Sequence, residues 1–244
     1  MKILSYPFSV VFYLLFGGTI VLFHPIQWIA FNWFGYHAHK IAVDALQWFL
    51  MRCLNVLGTR FTVELPDNLP VNKPVIIASN HQSMWDIPPL IWFLRKLHVK
   101  FISKIELGKG IPSISYNLRK GGSVLIDRKN PEQATAQIEK IAQYISSTHR
   151  AVVIFPEGTR SRDGYPKPFK TKGLKLLFKN APDAFILPVS ISNSWKLQRF
   201  GMFPIPMGVH LKMKVHEPIK ISEYQPDALI SLVEQTVLKD IVHD

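Results

Sequence analysis

Residues 74–86 read Pro-Val-Ile-Ile-Ala-Ser-Asn-His-Gln-Ser-Met-Trp-Asp, and the change of character inside this stretch decides the fold. Val75 to Ala78 is a short unbroken apolar run, the pattern of a strand buried on both faces. Polar residues begin at Ser79-Asn80, so the strand stops there and hands His81 to a loop. The same grammar recurs along the chain. Strands are expected at 60–65, 99–103, 123–126, 151–155 and 184–192, with an alternating, edge-like strand at 209–215. Helical patterns fall between them at 86–97, within 106–120, and from Asn130-Pro131, where a cap residue precedes a proline suited to the first turn. Ile138, Ile141, Ala142 and Ile145 share one face of that helix. The tail from Asp227 reads as a terminal helix. This is α/β order, implying a mixed, largely parallel sheet flanked by helices. In such sheets, ligands bind where strands end.

The first forty residues are different. Between Lys2 and Lys40 there is no charged side chain. An apolar run from Pro7 to Phe23 is interrupted at His24-Pro25, and a second follows from Ile26 to Phe34. A straight bilayer crossing takes roughly 20 apolar residues, so the first run barely suffices and the second is too short. No small-residue cleavage site of a signal peptide follows. The expectation is a membrane-associated helical pair bent at His24-Pro25, with Trp28 and Trp33 at interfacial depth. A single span and a buried helix pair are the competing readings. Ile41 to Leu57 continues as a helix. The division expected is residues 1–58 for the helices and 59–244 for the α/β domain.

Composition narrows the partners. Hydrophobic residues make up 48% of the 244 and charged residues only 19%, yet the net charge is +12. A basic chain this apolar suits an anionic membrane surface or nucleic acid. Nine positive charges in excess from residue 61 onward favour a cytoplasmic location for that part. The one cysteine, Cys53, rules out an internal disulfide and sits in an apolar helical pattern.

His81 and Asp86 stand five positions apart in the opening loop. One turn of backbone lets the carboxylate accept from one imidazole N–H, leaving the other ring nitrogen as a base. The remaining histidines either border the apolar N-terminus (His24, His37, His39) or lack such a setting (His98, His149, His210, His216, His243). A serine triad fails because G-x-S-x-G is absent and Ser83 lies too near His81 to be its nucleophile. A metal site fails for want of ligands, with no H-E-x-x-H, no second histidine nearby and no cysteine pair. What remains is a dyad acting on a hydroxyl of the substrate.

A second constellation, Phe155-Pro156-Glu157-Gly158-Thr159-Arg160-Ser161, follows the strand Ala151 to Phe155. Gly158 permits backbone approach to an anion, Thr159 adds a hydroxyl, and Arg160 supplies a planar fork for phosphate. Arg162, Lys167, Lys170 and Lys172 come soon after. Arg128 and Lys104 also lie at strand ends. A His–Asp dyad among cations suits a phosphorylated substrate with a reactive hydroxyl. Gly108-x-Gly110 lacks the context of a nucleotide loop, and no Walker A sequence occurs.

In order and spacing, NHQSMWD (80–86), FISKIEL (101–107), GGSVLIDR (121–128), FPEGTRS (155–161) and ILPVSI (186–191) resemble the motif series of the glycerolipid acyltransferases. Within these the chain is similar to the bacterial 1-acylglycerol-3-phosphate acyltransferases over about residues 60–215. The resemblance implies that His81 is the general base and Asp86 its orienting partner. The acceptor hydroxyl would attack the thioester of acyl-CoA or acyl carrier protein directly, with no acyl-enzyme. Arg128, Gly158, Thr159 and Arg160, with Lys104, would hold the acceptor phosphate of lysophosphatidic acid. Glu157 shares the motif but is expected to bond a hydroxyl or backbone N–H, since a carboxylate beside a phosphate is unfavourable. Pro188 would shape its strand. The family's two-helix membrane motif resembles the uncharged N-terminus. No metal, other cofactor or nucleic acid is implied, and the inner bacterial membrane with a cytoplasmic site is. Two readings compete: transfer to another lysophospholipid or lyso-aminolipid, and a basic binding module without chemistry. Met84-Trp85 at the centre of the first motif, and Pro166 and Pro168 after the second, have no explanation in the sequence.

Overall fold

The computed structural model describes residues 2–242, which leaves His243 outside the described residues. In chain order the elements are helix α1 (Lys2–Val56), strands β1 (Arg60–Glu64) and β2 (Val75–Ser79), helix α2 (Ile87–Phe93), β3 (Lys100–Lys104), α3 (Ile114–Lys120), β4 (Val124–Ile126), α4 (Pro131–Thr148), β5 (Ala151–Ile154), α5 (Thr171–Asn180), β6 (Phe185–Ser192), β7 (His210–Val215), β8 (Ile219–Lys220) and α6 (Pro226–Lys239).

The apolar run at 75–79 is the centre of the sheet, buried at every position. Strand order is β1-β7-β6-β2-β5-β3-β4, with β8 pairing β6. β2 runs parallel to both β5 and β6, and β3 runs parallel to β5 and β4. Only β7 and β8 pair antiparallel to β6, and β1 follows β7 in parallel. The sheet is therefore mixed and largely parallel, as expected. The five parallel strands all end on one rim.

Side-chain alternation along β2 builds two cores. Ile76 and Ala78 face α4, α5 and α6, joining Val152, Ile154 and Ile186. Val75 and Ile77 face the other way, with Leu90, Ile91 and Leu94 around α2 and Val43 of α1. Asn130 caps α4 by accepting from the Gln133 N–H at 3.0 Å, and Ile138, Ile141, Ala142 and Ile145 are its buried stripe.

Two expectations need correction. The helical pair exists, but it does not bend at His24-Pro25. Pro25 stays inside the helix, and the break is at Gly35, with φ 78° and ψ −165°. That backbone region is open to glycine and closed to side chains. A proline removes one helical hydrogen bond, which a long packed helix absorbs. The two arms then run antiparallel: Phe31 meets His39, Phe23 packs with Leu46 and Leu50, and Phe12 with Leu54 and Leu57. The second correction concerns β7, which alternates without being an edge. It pairs on both sides, with β1 and β6. Its alternation arises because no helix covers one face there, where Lys212 and Lys214 share a 140 Å³ cavity with Glu64 and Asp240. α5 and β8 had no counterpart in the sequence reading.

By length and composition α1 can cross a membrane. Its outward flank exposes Ile3, Leu14, Leu22, Trp33, Phe34 and Ile41. Its inward flank is fixed to the α/β domain along its length. Ser9 Oγ accepts from the Ile205 N–H at 2.8 Å, His24 Nδ1 accepts from the Ser113 N–H at 3.0 Å, and Asn32 bonds Tyr116 Oη at 3.1 Å.

Candidate active site

β2 ends at Ser79, and Asn80 then crosses to β6. Its side chain donates to the Ile191 carbonyl at 2.8 Å and accepts from the Ile191 N–H at 2.7 Å. This two-point clamp sets the direction in which His81 leaves the sheet. Ser83 caps a single 3-10 turn, Met84–Asp86, accepting from the Trp85 N–H at 3.1 Å. The turn brings Asp86 back under His81.

Asp86 is fully buried, and both carboxylate oxygens are used. Oδ2 accepts from His81 Nδ1 at 2.7 Å and from the N–H groups of Gln82 at 2.8 Å and Ser83 at 3.0 Å. Oδ1 accepts from the hydroxyl of Ser194, beyond the end of β6. Charge-assisted bonds of this kind are about twice as strong as neutral ones. Donation from Nδ1 to the carboxylate puts the proton on that nitrogen and leaves Nε2 with a lone pair. The His81 ring stacks on Phe155, centroids 4.0 Å apart and planes 15° from parallel. It can neither flip nor tilt freely.

Nε2 faces Arg160, whose Nε donates to it at 3.4 Å. The second motif therefore closes over the first. Ser161 donates its N–H to the His81 carbonyl at 2.8 Å. Glu157 is buried at the junction, accepting from the His81 N–H at 2.8 Å and the Lys167 N–H at 2.9 Å. Burial pushes its carboxyl up, and those two N–H bonds hold it partly down. Both oxygens bond backbone N–H groups, as the sequence reading expected. Gly158 turns the loop at φ 72°, and a Cβ there would lie 3.1 Å from Lys170 Nζ.

The prolines now have a reason. Lys167 and Phe169 point their N–H groups inward, to Glu157 at 2.9 Å and Glu234 at 2.8 Å. Pro166 and Pro168 occupy the alternate positions, where an N–H would have no partner, and a proline brings none. Trp85 also has a role. It is buried and meets Phe12 and Phe16 of α1 edge-on at 5.3 and 5.5 Å, joining the dyad turn to the helical pair.

The structure thus gathers His81, Asp86, Glu157, Gly158 and Arg160, with Thr159 exposed between the last two. It does not bring Lys104 or Arg128 into contact with them. Both are exposed on the same rim, at the ends of β3 and β4. With neighbouring strands about 4.8 Å apart, these lie roughly 10 and 14 Å from the β2 axis. β3 pairs with β5 only through Lys100 and Phe101, then pairs with β4. The rim therefore opens between Arg160 and Lys104. Ser194, Asn80 and Phe155 were not singled out in the sequence. Their roles depend on pairings across the sheet, which local spacing does not encode. No cluster that could hold a metal occurs among the described residues.

A histidine held by a buried aspartate, its second ring nitrogen meeting an arginine on a glycine turn, is an arrangement suited to taking a proton from a hydroxyl of an anionic substrate. Residues 60–192 match the acyltransferase family, and the chain belongs to it. Similar proteins include the 1-acyl-sn-glycerol-3-phosphate acyltransferase of Borreliella burgdorferi, 28% identical over 80% of this chain and 79% of that one. The enzyme of the same description from Cocos nucifera is 26% identical over 78% of this chain and 57% of its own. The crystal structure of the 1-acyl-sn-glycerophosphate (LPA) acyltransferase PlsC from Thermotoga maritima superposes with a TM-score of 0.78 at 26% identity. It covers 98% of this chain and 95% of that one.

Proposed function

We propose that the protein transfers a fatty acyl group from an acyl thioester to the free sn-2 hydroxyl of lysophosphatidic acid, giving phosphatidic acid. The observation that carries this reading is the His81 ring, held at Nδ1 by Asp86 at 2.7 Å while Nε2 meets Arg160 at 3.4 Å. A phosphate monoester that engages the guanidinium draws it off Nε2 and brings its own glycerol hydroxyl to that nitrogen. His81 takes the hydroxyl proton as the oxygen attacks the thioester carbonyl. The tetrahedral intermediate collapses, the C–S bond breaks, and His81 returns the proton to the departing thiolate. Asp86 stabilises the imidazolium between these steps. Gly158 and Thr159 give the phosphate backbone and hydroxyl donors, and Glu157 holds the two loops in register. Lys104 and Arg128 supply positive potential along the rim. The thioester's own free energy drives transfer, and no metal or cofactor enters the scheme.

The reading extends to the membrane. The outward flank of α1 is apolar, and its inward flank is fixed to the domain from Ser9 to Asn32. A helix held sideways over that length, roughly 35 Å at 1.5 Å per residue, cannot thread a bilayer. It lies along one leaflet, with the catalytic rim close to lipid. The basic domain then faces the cytoplasm, at the inner membrane of a bacterial cell.

An acceptor panel with thin-layer separation of products tests the assignment. Lysophosphatidic acid should be consumed at least ten times faster than lysophospholipids whose phosphate is a diester, and monoacylglycerol should be inert. Equal use of the diester acceptors would replace lysophosphatidic acid with a broader lysophospholipid class.

A further inference from the structure

The rim of the sheet opposite the dyad carries a second cluster of charge. A cavity of about 20 Å³ lies there, lined by His39, Lys40, Asp44, His98, Lys100 and Asn117. Lys100 starts β3 and Lys104 ends it on the catalytic rim, about 13 Å away at 3.3 Å per residue. An ammonium has three N–H donors. Lys100 is 6% exposed, yet among the described residues its one hydrogen-bond acceptor is the Tyr36 hydroxyl, at 2.9 Å. His39 is 1% exposed, and its Nε2 has no hydrogen-bond partner among the described residues. Two buried donors thus line one small cavity short of acceptors, and unmade bonds of buried groups are costly.

The charges around the cavity select its occupant. Lys40 and Asp44 of α1 pair with each other and cancel. Arg150, just before β5, lies over the Tyr36 ring at 3.7 Å and bonds Tyr144 Oη. The Tyr36 hydroxyl also bonds His98 Nδ1 at 3.0 Å, and the His37 ring is 6.1 Å from that of His98. Burial, with Lys40 and Lys100 nearby, pushes His98 down to about 4, so this ring is uncharged at neutral pH. The ammonium of Lys100 and the guanidinium of Arg150 therefore remain unopposed, and a cation would be repelled. A water-sized sphere fills about 10–15 Å³, which leaves no room for a phosphate with its four oxygens. Water could accept from both donors but would leave the buried charge uncompensated. A monoatomic anion answers the donors and the charge together.

We propose that this cavity binds one halide-sized anion, which accepts from Lys100 Nζ and His39 Nε2 and ties the second arm of α1 to the start of β3. Burial, with Arg150 nearby, pushes the Lys100 ammonium down to about 7. An anion beside it favours the charged form, so above that pH each anion is bound together with a proton.

The test is thermal unfolding of the full chain in detergent, in sodium chloride against sodium gluconate at equal ionic strength. Near pH 7.5 wild type should gain about 3 °C at about 0.1 M chloride, the gain saturating as the site fills. The apparent chloride affinity should fall about tenfold per pH unit above that point, since a proton must be taken up. Lys100→Met should lose the chloride dependence, and His39→Leu should weaken the affinity at least threefold. Crystals grown in bromide should show an anomalous peak between Lys100 Nζ and His39 Nε2. If Lys100→Met does not fold, the pH dependence and His39→Leu decide in its place. A chloride effect equal in wild type and either variant, or independent of pH, is screening at the surface and overturns the proposal. No chloride effect in wild type, or no bromide peak in the cavity, assigns the cavity to water and overturns it as well.

Discussion

Ser194 shows what a single residue adds to a dyad. Its hydroxyl donates to Asp86 Oδ1, and its backbone N–H donates to Gln82 Oε1 at 3.1 Å. The residue is fully buried. Ser194→Ala leaves Asp86 one donor short, so the carboxylate pulls harder on the imidazole proton. We expect kcat to fall about tenfold with KM for lysophosphatidic acid unchanged, and Ser194→Thr, which keeps the hydroxyl, to recover part of the loss. Equal losses in kcat for Ser194→Ala and Ser194→Thr would reduce Ser194 to a packing role. Much of the site was legible because it is local. His81 and Asp86 are joined by one turn, and Glu157, Gly158, Thr159 and Arg160 are contiguous. Ser194 lies 108 residues from Asp86, and the stacked ring of Phe155 comes from another strand. Only the pairing of β2 with β5 and β6 brings these together.

Among the elements, apolar periodicity revealed nearly every strand, since a strand buried on both faces has few alternatives. The misplaced features had competing local signals. His24-Pro25 looks like a break, yet Pro25 lies on the exposed flank of a helix whose adjacent residues Phe23 and Gln27 are buried. The turn belongs to Gly35, the one position in α1 with a positive φ. Gly35→Ala should destabilise the protein by about 1–3 kcal/mol, whereas Pro25→Ala should leave stability unchanged or slightly raised. Thermal unfolding in detergent distinguishes them, and the reverse order would return the bend to Pro25. α5 was hidden because its pattern is short and follows a proline-rich loop. β7 resembled an edge because an alternating strand is the same whether a partner strand or water lies beside it.

For the molecule as a whole, the apolar α1 and the basic α/β domain meet across the sheet, and Lys100 marks one seam. It is 6% exposed, at the start of β3, and its Nζ donates to Tyr36 Oη at 2.9 Å. Burial, with Arg150 nearby, pushes its ammonium down to about 7. The unfolded chain keeps that proton to about 10.4. Between those values the unfolded state binds more protons, so stability rises with pH, and it is lost as pH falls toward 7. Lys100→Met should remove this slope and stabilise the protein at neutral pH by up to about 4 kcal/mol. A slope unchanged in the variant would mean that other groups set it. Overall charge and hydropathy pointed to a lipid surface from the outset, while the opposition of α1 and α5 across the sheet needed the topology. The central claim is that His81, held by Asp86, deprotonates the acceptor's own hydroxyl. Its most direct test is turnover of acyl-CoA and lysophosphatidic acid by His81→Ala, with an unchanged melting profile as the check on folding. Turnover should fall at least a thousandfold; a variant that stays within tenfold of wild type would show that another group takes the proton.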